Sequence, residues 1–486
     1  MDVKIDQKLT REQQVDTLKK GEIFIKLLKP AVIGDGILNL SKTEVEKFID
    51  CFKSNAHNYS QESFIPASGA ATRMFKEIAS GNQKATDIFI TNLHNFPFFQ
   101  QIEEELEHQG ISLKTLCTNE VIDFVLYEKG LNFAHTPKAF IPFFNSQEKG
   151  ITPIEEHIKD NISFQSSEKV KVHFTIPKTH IQEFDNLIKT LKVFYEKNTG
   201  KQIEITSSVQ NEQTNTICLD EKNEVVKVTA PNGVKEDFKR PAGHGALLEN
   251  LQSLNSDLVF INNIDNISFN HFKPDIYTYK MALAGLLMDT VNQIHSIIDL
   301  LESQDIEYTE LLKTNQHLFS RLDIKIPDSI ENDKAKTRTF LLNELNKPIR
   351  VCGMVKNEGQ PGGGPFWVHD KNGKISKQIV EAVHVNKNDV HQKAALETAT
   401  HFNPVNMVCY MKDKKGSKFN LGQFIDPDTC IITWKSIDGK KIKALEYPGL
   451  WNGSMANWLT IFVNIPSTTF HPVKTVFDLL QNNPSR

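Results

Sequence analysis

Short apolar runs at residues 63–66, 172–177, 203–210 and 257–266 constrain this chain more than any other feature. Each is rich in Phe, Ile, Val or Thr, is bounded by turn residues, and reads as a strand. Helical patterns follow at 73–79 and 180–195, and again at 246–254 ahead of the fourth run. Strand and helix alternating in this way specify an α/β sheet. Upstream, 10–55 reads as largely helical, interrupted by Pro30 and the Gly34-Asp35-Gly36 turn, and 85–129 as mostly helical. A hairpin is expected over 216–229, turning near 220–223. Helices are expected at 279–302 and 308–319, and strands return at 349–355, near 377–385, and at 405–411, 430–435 and 458–465.

These elements divide the 486 residues into a helical N-terminal extension (1–60), an α/β core (61–271) with an insertion near 80–130, a helical insertion (272–347) and a C-terminal α+β region (348–486). At 39% hydrophobic and 24% charged residues the chain can bury a sizeable core and is not a disordered polymer. Its 56 basic and 60 acidic residues give a net charge of −4, without the basic concentration of a nucleic-acid binder. The lysines at 412–418 surround Gly416 and read as a solvated turn. No run of 18 apolar residues suggests a membrane span, and the N-terminus lacks the apolar centre of a signal peptide, so a cytoplasmic location is expected. The six cysteines are scattered without a CxxC, and His384, His391 and His401 lack zinc spacing. The 31 Phe, against 8 Tyr and 4 Trp, point to packing, with Phe64, Phe260 and Phe462 in expected core strands.

Chemistry concentrates at a few places. After the first strand comes Ala67-Ser68-Gly69-Ala70-Ala71-Thr72-Arg73. Small side chains let amides approach an anion, a following helix adds its positive end, Thr72 offers a hydroxyl and Arg73 a guanidinium. A tight strand–helix turn packed with small residues accounts for the same sequence. Pro137-Lys138 precedes an apolar run, and Gly150-Ile151-Thr152-Pro153 starts a helix. Gly243 and Gly245 flank His244, which permits close backbone approach to a flat base or ribose. Asp265 leaves a buried strand at its C-terminal end, where open α/β sheets bind ligands and a carboxylate can hold Mg²⁺. Gly362-Gly363-Gly364 between two prolines reads as a deformable loop, with Phe366 and Trp367 anchoring it or stacking on a sugar. Asn452 and Gly453 are possible sugar contacts beside Trp451, and Glu446 and Asp426 possible second metal carboxylates.

Taken in order, these pieces resemble the UDP-sugar pyrophosphorylases and the wider sugar nucleotidyltransferases. Gly69 to Arg73 and Pro137-Lys138 look like that family's nucleotide loop and its lysine, separated here by about sixty residues. Pro241, Gly243, His244 and Gly245, then Asn263, Asp265 and Asn266, are similar to its P-x-G-H-G and N-x-D-N pieces. Phe470, Pro472, Val473 and Lys474, followed by Asp478-Leu479-Leu480, resemble its closing F-x-P-V-K segment. The whole sequence, including 66–76, 353–368 and 448–458, resembles a bacterial family described only as a domain of unknown function, the DUF4301 type.

The resemblance implies a GT-A-like mixed sheet flanked by helices. It also implies a Mg²⁺-dependent nucleotidyltransferase joining a nucleoside triphosphate, UTP favoured, to a sugar 1-phosphate with release of pyrophosphate. Arg73, Lys138, Asp265 and Lys474 become catalytic candidates, with Asp265 on the metal. Ser68 to Thr72 and Gly243 to Gly245 bind the nucleotide, and Asn263, Asn266, Gly363, Asn452 and Gly453 contact substrate. A nucleotide-sugar glycosyltransferase, with Asp426-Pro427-Asp428 as its D-x-D, and a non-catalytic nucleotide-binding or scaffold protein are the alternatives.

Overall fold

The apolar runs become strands. The computed structural model describes residues 9–145, 149–268, 271–303, 308–360, 362–371, 373–437 and 439–482. In it the four runs are Gln61–Pro66, Lys169–Thr175, Gln202–Ser208 and Leu258–Asn262. The chain forms two compact units. One comprises residues 1–62, 210–261 and 278–467, the other 63–209, 262–277 and 468–486. They are called unit 1 and unit 2.

Unit 2 is built on parallel strands. Lys169–Thr175 pairs with Gln61–Pro66, placing Ser63 opposite Val172, and with Gln202–Ser208, placing Lys169 opposite Gln202. Parallel neighbours require crossovers, supplied here by the helices Pro153–Phe164 and Ile181–Thr199. Pro153 starts the first where its missing N–H costs nothing, and Thr152 Oγ1 accepts from the Glu155 amide at 3.3 Å. Ile65, Val172, Phe174, Ile158 and Ile188 fill the core between strands and helices.

The insertion after Pro66 packs around phenylalanines. Phe75, Phe89, Phe96, Phe98 and Phe133 are buried, and Phe96 and Phe98 stack with centroids 5.2 Å apart. Val473, Val476 and Leu479 pack into the same cluster. The phenylalanine excess therefore does report packing. Phe64, Phe260 and Phe462 are buried in strands as expected, but the densest gathering of rings lies in the insertion.

Unit 1 holds a mixed sheet. Ile349–Lys356 runs parallel to Leu459–Asn464 and antiparallel to Asn406–Tyr410, and Phe462 faces Ile37 of the parallel Gly36–Leu38 strand. The helix Lys42–Asn55 meets the long helix Lys273–Glu302 where Gly285 lies against the Phe48 backbone, leaving no room for a Cβ. An antiparallel sheet of Lys26–Pro30, Gly364–His369 and Ile375–Val380 covers a further apolar cluster that includes Leu27, Phe366 and Val380. In a third sheet Lys440–Glu446 lies between Thr216–Asp220 and Ile431–Ile437, antiparallel to both. Mixed α/β sheet flanked by helices is thus the architecture. Among the described residues no helix is long and apolar enough to cross a membrane.

Several elements depart from the sequence reading. Between Lys20 and Lys42 the chain is extended, because Pro30 lacks the amide a helix needs and Gly34 and Gly36 take positive φ. The expected helix at 308–319 is two, Tyr308–Thr314 and Gln316–Arg321, broken at Asn315. The expected turn near 220–223 forms, with Leu219 bridged to Val225 and the Val226 amide donating to the Cys218 carbonyl at 2.9 Å, but the returning strand Lys227–Thr229 then pairs with Lys235–Asp237. The third glycine of 362–364 starts a strand instead of completing a loop, and Pro361 lies outside the described residues.

Candidate functional site

Within unit 2, four distant segments meet through backbone bonds. The small-residue loop is tied to the segment before Lys138: the Ala71 amide donates to the Thr136 carbonyl at 3.1 Å and the Lys138 amide to the Gly69 carbonyl at 3.2 Å. The Val473 amide donates to the Asp265 carbonyl at 2.9 Å, and the Val476 amide to the Met74 carbonyl at 3.0 Å. Asn266 Oδ1 accepts from the His471 amide at 3.0 Å. The sixty residues between the loop and Pro137-Lys138 thus form the phenylalanine-packed insertion and leave the two pieces side by side.

Side chains converge on Asp265. Lys138 Nζ is 3.1 Å from its Oδ2, and Lys474 Nζ is 3.2 Å from Oδ1 and 3.0 Å from Oδ2. Lys138 also donates to the Val473 carbonyl at 3.0 Å. The Asp265 and Lys138 side chains are 13% and 12% exposed, whereas Lys474 is 48% exposed and open to a ligand. Burial works to raise the Asp265 carboxyl, but Lys474 and Lys138 overcome it and hold it below the ordinary carboxylate range. Burial likewise pulls the Lys138 ammonium down, against the support of Asp265. Asp478 Oδ2 accepts the amides of Lys474 and Thr475 at 2.8 and 2.7 Å and fixes the turn that presents Lys474. His157 Nε2 lies 3.2 Å from the Ile264 carbonyl and props the segment from inside. His157 carries no motif, and only its place on a buried helix marks it.

The loop itself is open. Gly69, Ala70, Thr72 and Arg73 are exposed, and Ser68 is half-buried. The amides of Ser68, Gly69 and Ala70 make no backbone hydrogen bond among the described residues. The loop leads into a 3₁₀ turn, Ala71–Arg73, and then a single helical turn, Lys76–Ala79. So short a helix adds little macrodipole, and the loop amides are the anion-binding groups on offer. Asn263, half-buried, lies in the same segment as Asp265, while Asn266 spends its carbonyl on His471.

Unit 1 carries the other expected residues. Leu450 donates its amide to His244 Nδ1 at 3.0 Å, and an amide can only donate, so the imidazole proton sits on Nε2. Nε2 faces Glu381 Oε1 at 3.7 Å, and the Trp451 ring stacks on His244 with centroids 4.4 Å apart. Asn452 Nδ2 donates to Glu381 Oε1 at 2.6 Å. His244 first, and Asn452 after it, hold the Glu381 carboxyl below its ordinary range against burial. Glu381 was not legible in the sequence: it stands alone between a strand and a short turn.

The glycines here answer to the protein's own chain. Gly243 has φ 73°, and a Cβ on it would come within 2.7 Å of Glu446 Oε2. A Cβ on Gly245 would strike the Pro448 carbonyl, and one on Gly453 the Thr429 hydroxyl. The close approach of Gly243 and Gly245 is therefore to the chain at 446–448. Gly363 is packed against Ile379, and its carbonyl accepts from the Asn403 amide at 2.8 Å. Asp426 caps a turn through the Asp428 amide at 3.0 Å, burial pushes its carboxyl up, and Asp428 pairs with exposed Lys371. The D-x-D spacing is used for a turn.

Magnesium finds one carboxylate in the unit 2 cluster, with both oxygens already facing ammonium groups. Among the described residues no group of three or more His, Cys, Asp or Glu side chains is placed to hold a metal. The described residues thus supply no cage of three protein ligands for Mg²⁺, and Asp265 serves as counter-ion to the two lysines.

In backbone the chain is similar to the uridine diphosphate N-acetylglucosamine pyrophosphorylase from Trypanosoma brucei, at 10% identity and a TM-score of 0.50, over 96% of this chain and 74% of that one. It is also similar to the UDP-glucose pyrophosphorylase from Leishmania major, at 12% identity and a TM-score of 0.43, over 97% and 74%. At such identities the likeness is one of fold. No curated protein matches the sequence. The model of one family, described as a domain of unknown function, covers residues 2–484, and the chain belongs to that family, DUF4301.

Proposed function

We propose that this chain is a nucleotidyltransferase that joins a nucleoside triphosphate to a sugar 1-phosphate and releases pyrophosphate. The observation that carries the reading is the meeting of Lys138 and Lys474 on Asp265 beside the open amides of the 68–70 loop. Two cations, one half-exposed, next to unpaired amides make a site for a polyphosphate. The fold similarity to the Trypanosoma brucei pyrophosphorylase supports the same reading, and we propose a GT-A-like arrangement of the core.

In the proposed reaction a phosphate oxygen of the sugar 1-phosphate attacks the α-phosphorus. The new P–O bond forms as the bond from the α-phosphorus to the bridging oxygen breaks, and pyrophosphate leaves with that electron pair. The attacking phosphate is already ionised, so no side chain needs to take a proton. The protein's work is positioning and charge neutralisation. Lys138 and Lys474 offset the phosphate charge, the loop amides and Arg73 hold the outer phosphates, and Asp265 keeps the lysines in register. Magnesium enters as the ion carried by the triphosphate. UTP is the favoured donor.

Pyrophosphate release measured across the four ribonucleoside triphosphates, each with a panel of sugar 1-phosphates, tests the proposal. Turnover with one pair, cut at least about tenfold by Lys474→Ala, is expected. Triphosphate binding without turnover under every pairing would establish the non-catalytic alternative.

A further inference from the structure

Unit 1 contains a cavity of about 890 Å³ that nucleotidyl transfer leaves unused. Phe319, Phe340 and Trp367 contribute an apolar side, and Asp323, Glu344 and Lys377 a polar one. Lys377 lies mid-strand in Ile375–Val380 and is 7% exposed. Its Nζ is 2.7 Å from Asp323 Oδ2 and 3.3 Å from the Arg321 carbonyl. Elsewhere on the wall Lys374 Nζ is 3.0 Å from both Glu344 oxygens. Asp323 has φ 57°, the left-handed residue that ends the helix Gln316–Arg321, with the Ile324 amide donating back to the Phe319 carbonyl at 2.9 Å. Burial pushes its carboxyl up, although the Lys377 ammonium opposes this. A buried ion pair is a weak device for stability.

The charges select the ligand class. The lining sets Arg321, Lys325, Lys374 and Lys377 against Asp35, Glu44, Asp323 and Glu344, so it carries no excess of either sign, and Lys377 and Lys374 are paired within the chain to Asp323 and Glu344. Each pair sets a donor beside an acceptor, the arrangement that neighbouring hydroxyls need. The aromatic side suits the C–H face of a saturated ring, and the volume lies within the range of about 300–1,000 Å³ typical of small-molecule sites. We infer that this cavity binds a neutral saccharide. The inference does not depend on the nucleotidyl-transfer reading.

Calorimetric titration and saturation-transfer NMR of the full chain with glucose, N-acetylglucosamine and maltose test it, with glucose 1-phosphate as the charged comparison. Saturable binding of at least one neutral sugar is expected, weakened about tenfold or more in Lys377→Met, Phe340→Ala and the more exposed Lys374→Ala. The same binding is expected to persist in Lys138→Ala and Lys474→Ala. The inference is overturned if no neutral sugar binds saturably to the folded wild type. It is overturned equally if binding survives all three cavity substitutions, or is lost with Lys474→Ala and kept in Lys374→Ala.

Discussion

Asp265 decides the electrostatics of the cluster, because both ammonium groups touch it and one of them is buried. Removing Lys474 leaves Lys138 in place and takes away a half-exposed partner, so Lys474→Ala should cost under about 1 kcal/mol of stability. Lys138→Ala removes the buried partner and its bond to the Val473 carbonyl, and should cost about 1–3 kcal/mol. Urea denaturation of the two variants checks the order, and equal losses would contradict it. The pH dependence has a definite sign. The folded carboxyl of Asp265 lies below its unfolded value of about 4. Its contribution is therefore complete above that value and lost as pH falls through the folded one. The stability gap between wild type and Asp265→Asn should hold from pH 7 to about 5 and close on further acidification. A second consequence separates counter-ion from metal ligand: the Mg²⁺ concentration giving half-maximal turnover should be the same in Asp265→Asn as in wild type.

Elements place these residues by burying their neighbours. Lys474 is held because Val473, Val476 and Leu479 sink into the phenylalanine cluster of the insertion. Leu479 is fully buried, so Leu479→Ala should cost about 2–5 kcal/mol. It should also speed amide exchange at Lys474 and Thr475, and lower pyrophosphate release although Leu479 has no chemistry of its own. Unchanged exchange there would detach the cluster from the site. This coupling was only half legible. The strands showed in their β-branched and aromatic runs, and the order of loop, Pro-Lys, N-x-D-N and F-x-P-V-K singled out Gly69, Lys138, Asp265 and Lys474. Their meeting depends on long-range backbone bonds such as Lys138 to Gly69, which no local pattern encodes. The packing of the glycines at 243 and 245 was hidden for a related reason. A sequence shows that a Cβ is excluded there, but not that Glu446 and Pro448 are what exclude it.

At the scale of the whole chain, the two units are each assembled from separated stretches, so neither is a continuous piece of sequence. Unit 2 takes its strands from 63–209, its carboxylate from 262–277 and its second lysine from 468–486. A fragment of residues 63–209 alone would lack Ile267, Val473, Val476 and Leu479, and would leave the phenylalanine cluster open to water. It would also hold Lys138 without the carboxylate that supports its charge in a buried place. Such a fragment should bind a hydrophobic dye, unfold without a cooperative transition and show no affinity for pyrophosphate. Joining 262–277 and 468–482 to it through flexible linkers restores both the apolar cover and the ion pairs, and should recover cooperative unfolding together with pyrophosphate binding. Recovery of folding without binding would show that these segments complete the core and that the polyphosphate site lies outside the Lys138–Asp265–Lys474 cluster.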